Sequence, residues 1–279
     1  HPCVAVARRT IGSSGLRVHP VGLGTMPMSI EGRPSGAQAV RVIRAALDAG
    51  IELIDTADCY CLGEGDMGHG ERLVGQALRE RGEVTRVVVA TKGGVRRPGG
   101  AWVHDGRPDY LRRACELSLR NLGVDRITLY QLHAVDERVA IEESVGALAD
   151  LRSAGKIRHV GLSNVGVEHI RRARKIVPIV SVQNEASPYH PRGLDDGVLA
   201  YCAQHGIAFI AHSPAGGWRA GRIAHEPVLQ KQAKRMGASP HQVVLAWLLD
   251  SAPASIPIPG ASRVRSAVDS AAAARLTLD

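Results

Sequence analysis

Long apolar runs are missing from this chain of 279 residues: none approaches the ~20 residues a membrane span requires. The start, His1-Pro2-Cys3-Val4-Ala5-Val6-Ala7, has neither an initiating Met nor a long apolar signal core. Residues 1–8 therefore read as a processed or appended tail, residues 9–279 as one domain, and the setting as cytoplasmic, with no membrane partner. Cysteine is sparse, five residues at irregular spacings, which excludes a disulfide framework and fits a reducing compartment. Cys59 and Cys61 flank Tyr60 and His69 follows, but this spacing matches no common zinc signature, so no metal is expected. Aromatic residues amount to only 3%, with a single Phe, so each Trp position carries information. Acidic residues are also outnumbered, 27 against 35 basic ones, for a formal charge of +8. The arginines are scattered over helical stretches, as in Arg112-Arg113 and Arg171-Arg172, usually near Asp or Glu. That pattern describes a solvated surface rather than a nucleic-acid footprint.

What is present is an alternation. Short β-branched runs recur at Val21–Thr25, Leu53–Ala57, Val87–Lys92 and Ile127–His133. Four more follow at His159–Asn164, Val180–Asn184, Ala208–His212 and Ser255–Ile258. Such runs are the mark of buried parallel strands. Helical periodicity fills the gaps: Val40, Ile43, Leu47 and Ile51 share one face, as do Leu111, Cys115, Ser118 and Leu122, and Ile141, Val145, Leu148 and Leu151. Gly50, Gly123 and Gly155 supply the stops, and Ser239-Pro240 supplies a start. Eight βα units without a composition break predict a closed (β/α)₈ TIM barrel. The open doubly wound alternative requires a Gly-x-Gly-x-x-Gly turn that Gly22-Leu23-Gly24-Thr25-Met26-Pro27 does not provide. Ahead of the first strand, Arg9–Ile11 and Leu16–Val18 flank Gly12-Ser13-Ser14-Gly15, predicting a β-hairpin that caps the barrel bottom.

In such a barrel the catalytic groups stand at the C-terminal ends of the strands. That rule collects Asp55 and Tyr60, Lys92, His133, Ser163 and Asn164, and Gln183 and Asn184. Each alone has a structural explanation, as a turn cap, a satisfied core histidine or a snorkelling lysine. Asp, Lys, His and Tyr converging on one mouth make a proton-transfer set. A phenol titrates near ~10, and a neighbouring ammonium favours its ionised form, so Lys92 is expected to ease proton donation by Tyr60. Asp55 then holds Lys92 charged, and His133 directs a substrate oxygen.

The chain resembles the aldo-keto reductase superfamily in six ordered segments: Ile54–Tyr60, Ala90–Gly94, Leu129–His133, Gly155–Asn164, Val182–Glu185 and Ile256–Gly260. The resemblance implies a barrel binding NADPH across its mouth, with Asp55, Tyr60, Lys92 and His133 as the catalytic tetrad. It also implies that Ser163, Asn164 and Gln183 hold the nicotinamide carboxamide, with Gly24, Thr25, Met26 and Asp55 beside the cofactor. The chain departs from the family in the seventh strand, where Ala211-His212-Ser213-Pro214-Ala215 puts His212 in place of the usual aromatic. Stacking there would depend on the protonation of His212, and Ser213, Pro214, Ala215 and Gly217 become the pyrophosphate candidates. After the eighth strand, Gly260, Ser262 and Arg263 or Arg265 are the candidates for the cofactor's 2′-phosphate, because a guanidinium favours NADPH over NADH.

Trp102, in the glycine-rich stretch after the third strand, and Trp218, after the seventh, are expected to wall the substrate pocket. Met26 adds a flexible apolar surface, and Tyr60 and His133 meet the substrate directly. The expected reaction is NADPH-dependent reduction of an aldehyde or ketone to the alcohol, by a monomer or weak homo-oligomer with no nucleic-acid partner. An NADPH-binding redox sensor or regulatory subunit with slow turnover is the alternative, and a Schiff-base aldolase using Lys92 is the third reading.

Overall fold

The structure, a computed structural model, describes residues 6–82, 86–190 and 192–278, with the side chains of Arg192 and Trp218 left outside that description. It opens with the antiparallel pair β1 (Arg9–Thr10) and β2 (Arg17–Val18). Next come β3 (Leu23–Gly24), α1 (Gly36–Asp48), β4 (Leu53–Asp55), α2 (His69–Arg81) and β5 (Val88–Gly93). A second short hairpin, β6 (Val95–Arg96) and β7 (Val103–His104), precedes α3 (Pro108–Leu122) and β8 (Ile127–Leu132). Then follow α4 (Ile141–Ser153), β9 (Ile157–Ser163), α5 (Val167–Arg174) and β10 (Ile179–Glu185). The chain ends through α6 (Arg192–Asp195), α7 (Val198–Gln204), β11 (Ala208–His212), α8 (Pro227–Met236), α9 (Pro240–Ser251), β12 (Ser255–Ile258) and α10 (Val264–Ala272).

Eight strands pair in parallel in the order β3-β4-β5-β8-β9-β10-β11-β12. Gly24 bridges Gly260 across the remaining gap and closes the barrel. The seam is one-sided for a chemical reason. Pro257 and Pro259 turn their carbonyls toward the first strand and accept from Gly22 N at 2.9 Å and Gly24 N at 3.0 Å. A strand residue points its N–H and C=O to the same side, so the donors these prolines lack are the ones that would have faced the first strand. The seam also depends on glycine. A Cβ on Gly22 would stand 2.8 Å from Ile258 Cγ2, and one on Gly260 would stand 2.7 Å from Pro27 Cγ. Because Pro257 and Pro259 offer the first strand no N–H, the run expected over Val21–Thr25 is a strand only at Leu23–Gly24.

Side-chain alternation divides each strand between two environments. Leu53, Val88, Ala90, Leu129, Ile210 and Ile256 fill the barrel interior, where they meet Ile11 and Val18 of the N-terminal hairpin. Ile54, Val89, Tyr130 and Leu132 point outward into the larger core beneath the helices, against Val40, Ile43, Leu73 and Leu111. Because period-two spacing keeps a face, the residues two steps beyond the interior apolar layer, Asp55, Lys92, Gln131 and His212, also point into the barrel.

The expected helix signals match the observed ends. Gly123 takes φ 70° after α3 and closes it by donating to the Leu119 and Arg120 carbonyls. At the other end of the chain, Ser239 and Gln242 form a reciprocal capping box at α9. The N-terminal hairpin plugs the barrel end opposite the strands' C-termini, with Gly12 packed directly on the Val180 carbonyl, where no side chain would fit. Of the tail expected at residues 1–8, residues 1–5 lie outside the described set, and Arg8 is held by Glu52 at 2.7 Å and by the Arg17 carbonyl. Among the described residues, no helix is long and apolar enough to cross a membrane.

Candidate active site

Lys92 is the centre of the polar cluster at the C-terminal mouth. It is fully buried and inward-facing near the end of β5. A buried ammonium is costly unless its three N–H groups are paired, and here each has a partner. Nζ donates to Asp55 Oδ2 at 2.7 Å, to the Thr56 carbonyl at 2.9 Å and to the Tyr60 hydroxyl oxygen at 3.0 Å. Burial by itself would lower the Lys92 pKa, but the Asp55 carboxylate and the Tyr60 oxygen outweigh it and hold the pKa above the usual value. Asp55, ending β4, is oriented in turn by Gln183 Nε2 at 2.7 Å and, more distantly, by Gln131 Nε2 at 3.4 Å.

Tyr60 sits on the loop after β4, only 7% exposed, with Lys92 Nζ 4.8 Å from its ring centroid. The sequence suggested that Lys92 makes this phenol more acidic. Lys92 does act in that direction, but burial outweighs it, and the Tyr60 pKa is pushed up to about 12. A low-dielectric site penalises the phenolate more than one ammonium, already shared with a carboxylate, can compensate.

His133, half-buried just past β8, meets the Tyr60 ring edge-on at 5.9 Å and 81°. Its backbone is pinned on both sides, the N–H to the Gly93 carbonyl at 2.9 Å and the C=O to Asn164 Nδ2 at 3.0 Å. Burial, followed by the Lys92 charge, depresses its pKa well below the ordinary histidine value, so the imidazole is neutral. Its Nδ1 lies 3.3 Å from Cys59 Sγ.

A second polar row runs across the tops of β9, β10 and β11. Ser163 Oγ donates to the Gln183 carbonyl at 3.0 Å, and Asn164 Nδ2 reaches Ser163 Oγ at 3.2 Å. His212 bridges Asn164 Oδ1 and Ser213 Oγ, both at 3.2 Å. Burial, with a smaller push from Lys92, lowers the His212 pKa to about 4, so the protonation question raised by the sequence resolves to a neutral ring. Asn164 and Ser213 both hold positive φ, 55° and 51°, in turns that direct them toward this row. Gly24 and Thr25 adjoin Asp55, whose carbonyl accepts from Thr25 N at 3.0 Å and Thr25 Oγ1 at 2.9 Å. Gly260 lies at the seam beside Gly24, Pro214 is buried, and Ala215 and Gly217 lie beyond the positive-φ turn at Ser213. Ser262 precedes α10, while Arg263 and Arg265 are exposed at its start, with no ion-pair partner among the described residues.

Around Tyr60 the wall is apolar, built from Ala57, Cys59, Val95 and Ala134 with Met26 against it. Trp102 lies on the β6–β7 hairpin, 48% exposed, its ring stacked 3.8 Å from the Arg97 guanidinium carbon. The Trp218 side chain falls outside the described residues. Gln183 is buried in the second polar row, with its amide nitrogen donating to Asp55 Oδ1.

Several site residues were not singled out from the sequence. Gln131 lies midway between interior-facing Leu129 and His133, and that spacing would have revealed it. The sequence raises Cys59 only as a candidate metal ligand beside Tyr60, and the carbonyl of Thr56 carries no signal at all. Behind the cluster lie two buried carboxyl groups, Asp58 and Glu71. Burial raises both pKa values, and for Asp58 the proximity of Glu71 adds to it. Glu71 accepts from Thr91 Oγ1 at 2.6 Å and Asn121 Nδ2 at 3.0 Å.

Comparison with known proteins places this geometry. Residues 20–279 match the model of the aldo/keto reductase family. An uncharacterised oxidoreductase of Schizosaccharomyces pombe is 33% identical over 276 residues, covering 96% of this chain and 86% of that protein. Among solved structures, an aldo/keto reductase of Klebsiella pneumoniae in complex with NADP and acetate superimposes with TM-score 0.82 at 27% identity, covering 98% of this chain and 92% of the other. The glycerol dehydrogenase of Gluconobacter oxydans gives TM-score 0.81 at 29% identity, covering 96% and 90%.

Proposed function

This chain belongs to the aldo/keto reductase family, a class of NAD(P)H-dependent oxidoreductases, and from that premise we propose that it reduces aldehydes or ketones to alcohols with NADPH, Tyr60 being the general acid. One observation carries the reading. Lys92 spends all three N–H groups on Asp55, Thr56 and the Tyr60 oxygen, so the Tyr60 proton is left uncommitted within the cluster.

The donor set fits the cofactor. Ser163 and Asn164 offer hydroxyl and amide groups suited to a carboxamide, and the neutral His212 ring offers a flat face. Ser213, Pro214, Ala215 and Gly217 border the pyrophosphate path. Arg263 and Arg265, cationic and unpaired among the described residues, suit a 2′-phosphate near Gly260 and Ser262. When bound, NADPH supplies hydride to the carbonyl carbon.

The protein's own groups act on the carbonyl oxygen. His133 directs it by hydrogen bonding, and Tyr60 delivers its proton as negative charge gathers there. A pKa of about 12 does not hinder this step. The developing alkoxide approaches the basicity of hydroxide, whose conjugate acid titrates at ~15.7, so transfer from the phenol runs downhill. Lys92 then stabilises the phenolate left behind, and Asp55, held by Gln183 and Gln131, keeps Lys92 in place. The apolar wall of Ala57, Val95, Ala134 and Met26, with Trp102 on the β6–β7 hairpin, suits an apolar or aromatic carbonyl compound.

The test is NADPH consumption over a panel of aldehydes and ketones by the parent and by Tyr60→Phe. Loss of the acid should lower turnover about 100- to 10,000-fold. Equal consumption by both proteins on every turned-over substrate refutes the acid role. Tight NADPH binding without turnover on any substrate would point instead to a redox sensor.

A further inference from the structure

Cys59 immediately precedes Tyr60 and takes no part in the proton transfer just described, yet its thiol lies inside the cluster. It is fully buried, and its sulfur is 3.3 Å from Nδ1 of His133. We propose that Cys59 is a positioning residue: its S–H donates to His133 Nδ1 and so fixes the imidazole as the tautomer that carries its proton on Nε2, facing the substrate oxygen.

The direction of the bond follows from what each atom does best. A neutral imidazole has one donor nitrogen and one acceptor nitrogen, and the partner of the first sets the role of the second. A ring nitrogen is a far better acceptor than a thiol sulfur, whereas the S–H is a serviceable weak donor. Burial, reinforced by the nearby Asp58, pushes the Cys59 thiol well above its usual range, so the sulfur keeps its proton. The opposite assignment, Nδ1–H toward sulfur, would leave a bare acceptor nitrogen facing the lone pairs of a carbonyl oxygen. His133 Nε2 has no hydrogen-bond partner among the described residues, as a group reserved for a ligand requires.

Both partners are anchored, which turns a weak bond into a geometric constraint. The Cys59 carbonyl accepts from Arg97 Nη1 at 3.2 Å and from Cys61 Sγ at 3.3 Å. His133 is held through its own backbone by Gly93 and Asn164. With both backbones fixed, the S–H···N contact and the edge-on Tyr60 ring leave the imidazole little freedom to flip.

This inference rests on the proposed role of His133 in directing the substrate oxygen, and it is tested separately from the role of Tyr60. Nitrogen-15 NMR of the histidine rings reads which nitrogen bears the proton, and His133→Gln assigns the signal among the 12 histidines. The parent protein should show the proton on Nε2. Cys59→Ala should move proton population to Nδ1 and lower kcat about 3- to 10-fold, the effect of one neutral hydrogen bond. Cys59→Ser, which keeps an O–H donor, should restore both. A parent proton on Nδ1 overturns the proposal, as does a Cys59→Ala protein that keeps the Nε2 proton or full kcat, or a Cys59→Ser protein no better than Cys59→Ala. If Tyr60→Phe retains turnover, the acid assignment fails, while the ring spectrum still decides the Cys59 contact.

Discussion

Tyr60 and His133 are shifted by the same burial in opposite directions, and the result is two neutral groups. The phenol is pushed up to about 12 and the imidazole well below its ordinary range. The sign matters for activity. A histidine with a lowered pKa is neutral above that value and charges only when the pH falls through it, and the His212 value of about 4 places that ring in the same state. For an uncharged aldehyde, kcat/KM should therefore show no inflection near the ordinary histidine value of ~6.5. An inflection there that vanishes in His133→Gln would mean that an imidazolium, not an imidazole, meets the substrate. Sequence reasoning reached Asp55, Tyr60, Lys92 and His133 because polar residues ending apolar strands are conspicuous. It missed the net acidity of Tyr60, because burial depth is a property of the packed loop and not of neighbouring residue types. The contact of Cys59 with His133 was illegible for a similar reason: a small residue in a loop gives no sign of which side chain 74 residues away it will touch.

At the level of elements, the eight strands were legible as β-branched runs, and the capping signals at Gly123 and Ser239-Pro240 fell where the helices end and begin. The first strand was overestimated, since the run Val21–Thr25 says nothing about its seam partner. Pro257 and Pro259 have no N–H to offer it, so pairing contracts to Leu23–Gly24. The loop from β12 into α10 bears on cofactor choice. Arg263 occupies the N-cap position with extended backbone, φ −132° and ψ 142°, and its exposed side chain is unpaired among the described residues. A guanidinium and a helix N-terminus together favour a dianionic phosphate. Arg263→Ala should raise KM for NADPH about 3- to 10-fold, within the range of a charge-assisted hydrogen bond at an exposed site, and leave KM for NADH unchanged. An equal rise for both cofactors would show that the residue serves the loop's structure instead.

Across the whole molecule, the two barrel ends divide the work. The C-terminal mouth carries the buried polar cluster, while the other end is closed by the β1–β2 hairpin with Ile11 and Val18 fully buried. Interior alternation connects them: Leu53, Ala90 and Leu129 belong to the apolar floor, and the residues two steps on, Asp55, Lys92 and Gln131, belong to the site. That floor gives a polar set an apolar, water-poor base, which is one source of the large shifts at Tyr60 and His133. The plug should therefore matter to stability and not to chemistry. Ile11 packs in one cluster with Leu53, Val88, Leu129, Val180, Ile210 and Ile256. Ile11→Ala leaves a cavity that the rigid barrel closes poorly, a loss of about 2–5 kcal/mol. Thermal unfolding should begin several degrees lower, since each kcal/mol shifts Tm by roughly 2–4 °C in chains approaching this size. Well below the new Tm, kcat/KM should stay within about twofold of the parent, because catalytic groups in this fold occupy the opposite face. A large fall in kcat/KM with unchanged Tm would show that the hairpin end reaches the catalytic mouth through the barrel interior and would break the division of labour between the two ends.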